Sequence, residues 1–348
     1  MLEIPETLLG LVQHYSPTGQ EGVVVQWLVE RMQTLGFEQS FADAAGNAVG
    51  IKGSGPNQMV LLGHIDTVKG EIPVRVEDDI LYGRGSVDAK GPLASFVDAV
   101  AEIKVAPDWQ VVVIGAVDEE GDSNGAKAII DQYLPQIAII GEPSQWNRVT
   151  LGYKGSQPAV LTCKQSMVHS SQGGSANDLL LEAWQFLLQR VNEYNQGKTM
   201  FEQVNTTVLR MSTSTDNYET EAKLVCGTRL PLSVSPQAWM EEWLGAIPGV
   251  EVKSLMSGIP AYQAEKSSPL TRAFLKGIRA ADGKPSFVNK SGTADINLVA
   301  PEWGCPAVAY GPGDSNLDHT PNEHQVLGDY RKAVQVLVNV LNALGIAA

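Results

Sequence analysis

Two rhythms of apolar positions alternate along the first 150 residues. Residues 5–15 and 21–35 repeat at helical spacing, and "SPTGQEG" between them supplies turn and cap chemistry. "NAVGIKG" and "QMVLLGHID" read as strands, and "GPLASFVDAVAEIK" after Lys90 reads as a helix. "WQVVVIGAVDEE" is an apolar strand ending in acid, "NGAKAIIDQYL" a helix and "IAIIGEPS" another buried strand. Strands rich in Val and Ile, separated by helices, predict an α/β domain on a mostly parallel sheet.

The pattern changes near Gly155. "QPAVLTCKQSMVHSS" reads as a strand, "ANDLLLEAWQFLLQRVNEY" as an amphipathic helix and "AKLVCGTRLPLSV" as a strand. "PQAWMEEWLGAI" follows as a helix and "VEVKSLMSG" as a last strand. Strand, helix, strand, helix, strand predicts a smaller two-layer α+β domain over residues 155–262. After "IPAYQAEKSS" the α/β character returns, with a helix over 268–281, a strand near Ala307 and a final helix over 327–344. Residues 1–154 and 263–348 are therefore expected to form one larger domain around the insertion.

Composition narrows the class. A chain of 348 residues is long for one core and comfortable for two domains. The start, "MLEIPETLLGLVQHYS", lacks a signal-peptide pattern, and no apolar run approaches the ~20 residues of a membrane helix. Cys163, Cys226 and Cys305 are odd in number and far apart, which fits neither a disulfide framework nor a Cys-x-x-Cys site and predicts a reducing cytoplasm. A formal net charge of −14 argues against nucleic acid, because phosphate binding needs clustered cations.

Candidate chemistry sits where apolar strands run out. His64 and Asp66 lie in "LLGHIDTV", Asp88 in "YGRGSVDAKG", Glu119 and Glu120 in "GAVDEEGDSNGA", Glu142 in "IIGEPS" and His319 in "DHTPNE". Ligands of open parallel sheets bind outside the carboxyl ends of strands, so these remote segments can converge. Residues two apart on a strand face the same way, which aims His64 and Asp66 at one site. Glu119 and Glu120, being adjacent, diverge, so one can ligate a metal while the other moves protons. Clustered carboxylates repel one another unless a cation compensates. Two histidines and three carboxylates suit a catalytic zinc or cobalt pair rather than a closed structural zinc. Any one of these acids alone reads more simply as a cap or turn residue, as Asp118 and Asp122 do, and His14 and His324 read as surface residues.

As a set, "GHIDTV", "GRGSVDAKG", "DEEGDSNGA", "GEPS" and "DHTPNE" resemble the signatures of the acetylornithine deacetylase and succinyl-diaminopimelate desuccinylase metallopeptidases, in the same order over nearly the whole chain. The resemblance implies two divalent metal ions, Zn2+ or Co2+. It makes His64 and Glu142 ligands of one metal, Glu120 and His319 ligands of the second and Asp88 the bridge, with a cis peptide bond at Asp88–Ala89. Asp66 would orient His64. Glu119 would be the general base, taking a proton from the attacking water and handing it to the leaving amine. The inserted domain would be a lid and dimerisation domain. In it "VHSSQGG" is similar to a lid motif whose histidine, here His169, contacts the oxyanion from the partner subunit of a homodimer. Arg229 in "GTRLP" would bind a substrate carboxylate, and Ser291, Gly292 and Thr293 in "NKSGTADIN" would line the pocket. A lid asparagine of the family has no clean match, Asn205 being out of register.

"GEPSQWNRVTLGYKGS" and "KSGTADIN" look closest to the amino-group-carrier-protein lysine hydrolases. These release lysine, in some lineages ornithine, from the γ-carboxyl of an acidic carrier's C-terminal glutamate, in lysine and arginine biosynthesis. An acidic carrier and a chain at −14 repel at long range, so docking would need a local basic rim, for which Lys154, Lys164, Lys284 and Lys290 are candidates. The alternatives are a deacylase of free acetylornithine or succinyl-diaminopimelate, and a catalytically silent metal-binding relative. A nucleotide-binding protein fits poorly, because "GRGSVDAKG" and "GYKGS" match no phosphate-loop or dinucleotide fingerprint.

Overall fold

The computed structural model describes residues 4–167, 174–216 and 218–348. The chain forms two compact units, one of Met1–Leu151, Ala264–Val288 and Ala294–Ala348, the other of Gly152–Gln263 and Asn289–Thr293.

In the first unit, four parallel strands lie side by side in the order Trp109–Ala116, Asn57–His64, Ile137–Gly141 and Ala307–Tyr310. Ala48–Gly53 and Gln39–Ala42 extend one flank antiparallel. Arg148–Tyr153 runs antiparallel beside Ala307–Tyr310 on the other flank. The apolar runs have the expected physical cause. Val60, Leu61, Leu62, Val111, Val112, Val113, Ile114 and Ile139 are fully buried, as strands covered on both faces require. Helix Lys90–Glu102 covers one face with Leu93, Phe96, Val97 and Val100, all fully buried. Gly63 leaves little room for a side chain, since a Cβ there would sit 3.1 Å from that of Leu93. Helix Pro269–Ala280 starts on Ser268, whose side chain accepts from Thr271 N, with proline in the first turn.

Register places the site. Gly63 lies opposite both Gly115 and Gly141, so His64, Ala116 and Glu142 leave three adjacent parallel strands at one level. That level is the carboxyl edge, where open α/β sheets bind ligands.

The second unit is an antiparallel sheet in the order Asn205–Thr215, Glu219–Leu230, Ala159–Ser166 and Glu251–Ser254. Leu161, Leu180, Leu187, Leu224, Trp239 and Leu244 form its apolar core with helix Ala176–Asn195. Ser175 and Asp178 cap that helix reciprocally. The sequence pattern misses the two-residue strand Gly155–Ser156, which pairs with Glu219–Leu230. It also misses Asn205–Thr215, which is exposed along almost all its length so that no alternation marks it. The helix expected over "PQAWMEEWLGAI" is a short α turn, Pro236–Ala238, followed by a π turn, Trp239–Leu244. All three cysteines are unpaired. Among the described residues no helix is long and apolar enough to cross a membrane.

Candidate metal centre

His64 is the last residue of its strand and is 2% exposed. Its Nε2 lies 3.2 Å from Asp88 Oδ1. Its Nδ1 lies 3.1 Å from the Asp66 carbonyl oxygen and 3.4 Å from Asp66 Oδ1. Asp66, fully buried, also accepts from Thr18 Oγ1 at 2.8 Å, from Glu119 N at 3.1 Å and from Glu120 N at 3.2 Å. One carboxylate therefore orients the His64 ring and anchors the turn that carries the two glutamates. The sequence suggested only the first of these tasks.

Asp88 closes a glycine-rich loop, and its peptide bond to Ala89 is cis. His319 approaches from the C-terminal segment with φ +61°, a left-handed conformation uncommon outside glycine. Its Nε2 lies 3.0 Å from Asp88 Oδ2 and 2.9 Å from Glu120 Oε1. The two Asp88 oxygens thus face two different imidazoles, the disposition a bridging carboxylate needs. His64, Asp88 and Glu120 each offer a ligand atom, all within 4.8 Å of one another. Glu142, 8% exposed, is set beside His64 by the strand register.

The electrostatics call for a cation. Burial alone would lower the His64 pKa, but the hydrogen bonds to Asp66 and Asp88 raise it well above the usual value. Hydrogen bonds to Asp88 and Glu120 raise His319 to about 10. Asp88, which burial alone would raise, is held far below the usual carboxylate range by His319 and His64. Glu119 moves the other way: burial raises it well above its ordinary value, and Asp295, Glu142 and Glu120 add to the rise against His64. Asp295 is 2% exposed, is pushed up by burial to about 6, and has an Oδ1 with no hydrogen-bond partner among the described residues. Without a metal, protonated imidazoles would offset the negative charge of this cluster. Divalent ions would do so equally well once both rings release those protons and become ligands. The donor set, nitrogen and carboxylate without thiolate, fits zinc or cobalt in a catalytic site with open positions.

Several participants carry no strong sequence signal. Asp295 lies just past the "SGT" run, and Arg84, Lys90 and Glu323 are buried around the Asp88 loop. Only their place within the quoted motifs could have pointed to them. In the second unit, Arg229 Nη1 donates to Thr293 Oγ1 at 3.2 Å, bringing two of the expected substrate residues together. Ser291 is exposed, and Gly292 is partly so. His169 lies outside the described residues. Asp118 is a turn residue, as expected, accepting from Asn124 Nδ2 at 2.6 Å.

The basic rim needs correction. Lys154 is fully buried, and its Nζ donates to Gln203 O at 2.5 Å and to Asn205 Oδ1. Burial lowers its pKa to about 8. It cannot face a partner. Lys164 is occupied by Glu221 at 3.4 Å and Glu219 at 3.9 Å. Lys290 is half-buried with its Nζ 5.8 Å from the Tyr153 ring centre, and Lys284 is exposed.

Known proteins share both the sequence and the fold. A Deinococcus radiodurans protein named LysW-lysine hydrolase is 40% identical over 343 residues, covering 94% of this chain and 93% of its own. A Thermococcus kodakarensis protein with a provisional LysW-lysine/LysW-ornithine hydrolase name is 40% identical over 340 residues, covering 97% and 91%. A tripeptidase from Staphylococcus aureus has a similar fold, with a TM-score of 0.78 at 16% identity and 97% of each chain covered. The pattern of peptidase family M20/M25/M40 matches residues 60–343. The chain belongs to that family.

Proposed function

We propose that the protein hydrolyses the amide linking lysine, and in a wider specificity ornithine, to the γ-carboxyl of an amino-group carrier protein's C-terminal glutamate, in lysine and arginine biosynthesis. The observation that supports this substrate most is 40% identity over nearly the full length to proteins named for LysW-lysine hydrolysis. The intact acid–imidazole cluster supports the reaction class.

His64, Glu142, Asp88, Glu120 and His319 would hold two divalent ions, zinc or cobalt. When bound, such a pair lowers the pKa of water and polarises the scissile carbonyl. Glu119 takes a proton from the attacking water, whose oxygen adds to the carbonyl carbon. The same proton passes to the amine nitrogen as the C–N bond breaks, leaving the carrier's free carboxylate and free lysine. Asp66 keeps His64 and the Glu119–Glu120 turn in place through the contacts above. Arg229 binds the substrate's free carboxylate, Ser291, Gly292 and Thr293 line its pocket, and His169 stabilises the oxyanion. The unpaired cysteines suit a reducing cytoplasm.

Incubating zinc- or cobalt-loaded protein with a lysine-conjugated carrier should release free lysine, with far less product from acetylornithine or succinyl-diaminopimelate. Equal or faster hydrolysis of the free acyl amino acids would reassign it to the deacylases. No turnover of any of the three would favour a silent relative, a reading that the presence of Glu119 and every expected ligand disfavours.

A homodimer is part of the same proposal. Asn205–Thr215 is an edge strand of the second unit's sheet and exposes Val208, Leu209 (63%) and Met211 (46%), the kind of edge that pairs with another chain. Leu209→Glu with Met211→Lys should convert a dimer to a monomer in sedimentation equilibrium. A wild-type monomer, or a dimer unaffected by both changes, would rule this edge out.

A further inference from the structure

The segments bearing Asp88 and His319 are far apart in sequence, and one buried ion pair joins them. Arg84 Nη1 donates to Glu323 Oε2 at 2.8 Å, across 239 residues of chain. The other Glu323 oxygen, Oε1, accepts from Val87 N at 2.9 Å and from Asp88 N at 3.0 Å. Glu323 is fully buried and Arg84 is 6% exposed. Arg84 Nε also donates to Gly70 O at 2.8 Å, and the buried Lys90 Nζ donates to His14 O at 2.7 Å, so the loop is held from several sides. Glu323 lies four residues after His319, in the same "DHTPNE" stretch.

A buried carboxylate is costly unless its oxygens are fully used. Here none of the contacts above is to a site ligand's side chain. They go to the backbone of the Asp88 loop and to an arginine of that same loop. We propose that Glu323 is a positioning residue. It grips the Asp88 backbone from the segment that delivers His319 and so sets the distance between the bridging carboxylate and that imidazole. This rests on the metal-centre reading above and extends it to a residue that touches neither metal nor substrate.

The two oxygens can be tested separately. Glu323→Gln can keep Oε1 as acceptor for the Val87 and Asp88 amides, while its NH2 group replaces the Oε2 acceptor and so loses the charged hydrogen bond from Arg84. Glu323→Ala removes the acceptor of both amides and of Arg84 Nη1, leaving Arg84 its bond to Gly70 O. Competition with a chelator should show zinc affinity reduced about 10- to 100-fold in the alanine variant, the range for residues that support metal ligands, and less in the glutamine variant. In the metal-free proteins, amide hydrogen exchange at Val87 and Asp88 should be fast for alanine and near wild type for glutamine. Zinc affinity within twofold of wild type in Glu323→Ala, even with a lowered Tm, would make the residue merely structural and overturn the proposal. So would unchanged exchange at the two amides. Wild-type protein that takes up no zinc would instead refute the metal centre, while the exchange experiment would still judge the grip on the loop.

Discussion

Glu119→Gln is expected to lose turnover by about 10³-fold or more, in line with removal of a group that serves first as base and then as acid, while metal content stays at two ions per chain. Glu119 sits on the turn that Asp66 anchors through the Glu119 and Glu120 amides, and those backbone contacts survive the substitution. Glu120, not Glu119, meets His319. Glu119 shares the cluster through its electrostatic interaction with His64 and is the group proposed to move the proton. Stability should not suffer. The folded protein holds the Glu119 proton more tightly than the unfolded chain does, because burial raises its pKa. Stability from this group is present at acid pH and is lost as pH rises through the raised value, so a neutral amide removes a penalty at neutral pH. Steady-state kinetics with elemental analysis checks both halves. Activity within tenfold of wild type would mean that another group is the base.

Asp88→Ala is expected to abolish activity and to lower the affinity for both metal ions by more than the ~100-fold upper figure for supporting residues. Its two oxygens meet His64 and His319 separately, so one truncation removes the only contact common to both rings among those described here. The surrounding loop keeps its backbone bonds, including Ser86 N to Gly83 O and Lys90 N to Gly85 O, so the fold should persist. Calorimetric titration with zinc, beside a thermal melt, separates loss of the site from loss of structure. Retention of either ion at wild-type affinity would contradict the bridging role.

What could be read from the sequence follows from burial. The four parallel strands are covered on both faces, so each is a continuous apolar run, and polar residues at or just after the ends of three of them mark the candidate site. His64, Glu120 and Glu142 were legible for that reason. Asn205–Thr215 was not, because a strand exposed on both faces has no apolar period to detect. Lys154 misled for the opposite reason: a lysine normally marks solvent, yet here the backbone of Gln203 and the side chain of Asn205 satisfy it inside the second unit. Glu323 and Arg84 form a pair 239 residues apart, a separation at which no local period exists. Glu323 could be noticed only as the end of a motif. Asp66 was assigned one of its tasks, since its bonds to the Glu119 and Glu120 amides depend on how a turn folds back and not on spacing.

Zinc-edge anomalous scattering from crystals of the zinc-loaded protein tests the central claim most directly. Two peaks per chain are predicted, one on either side of the Asp88 carboxylate, the first ligated by His64 and Glu142 and the second by Glu120 and His319, at ligand distances of about 2 Å. A single peak, or peaks away from Asp88, would contradict the dinuclear centre on which the proposed hydrolysis depends.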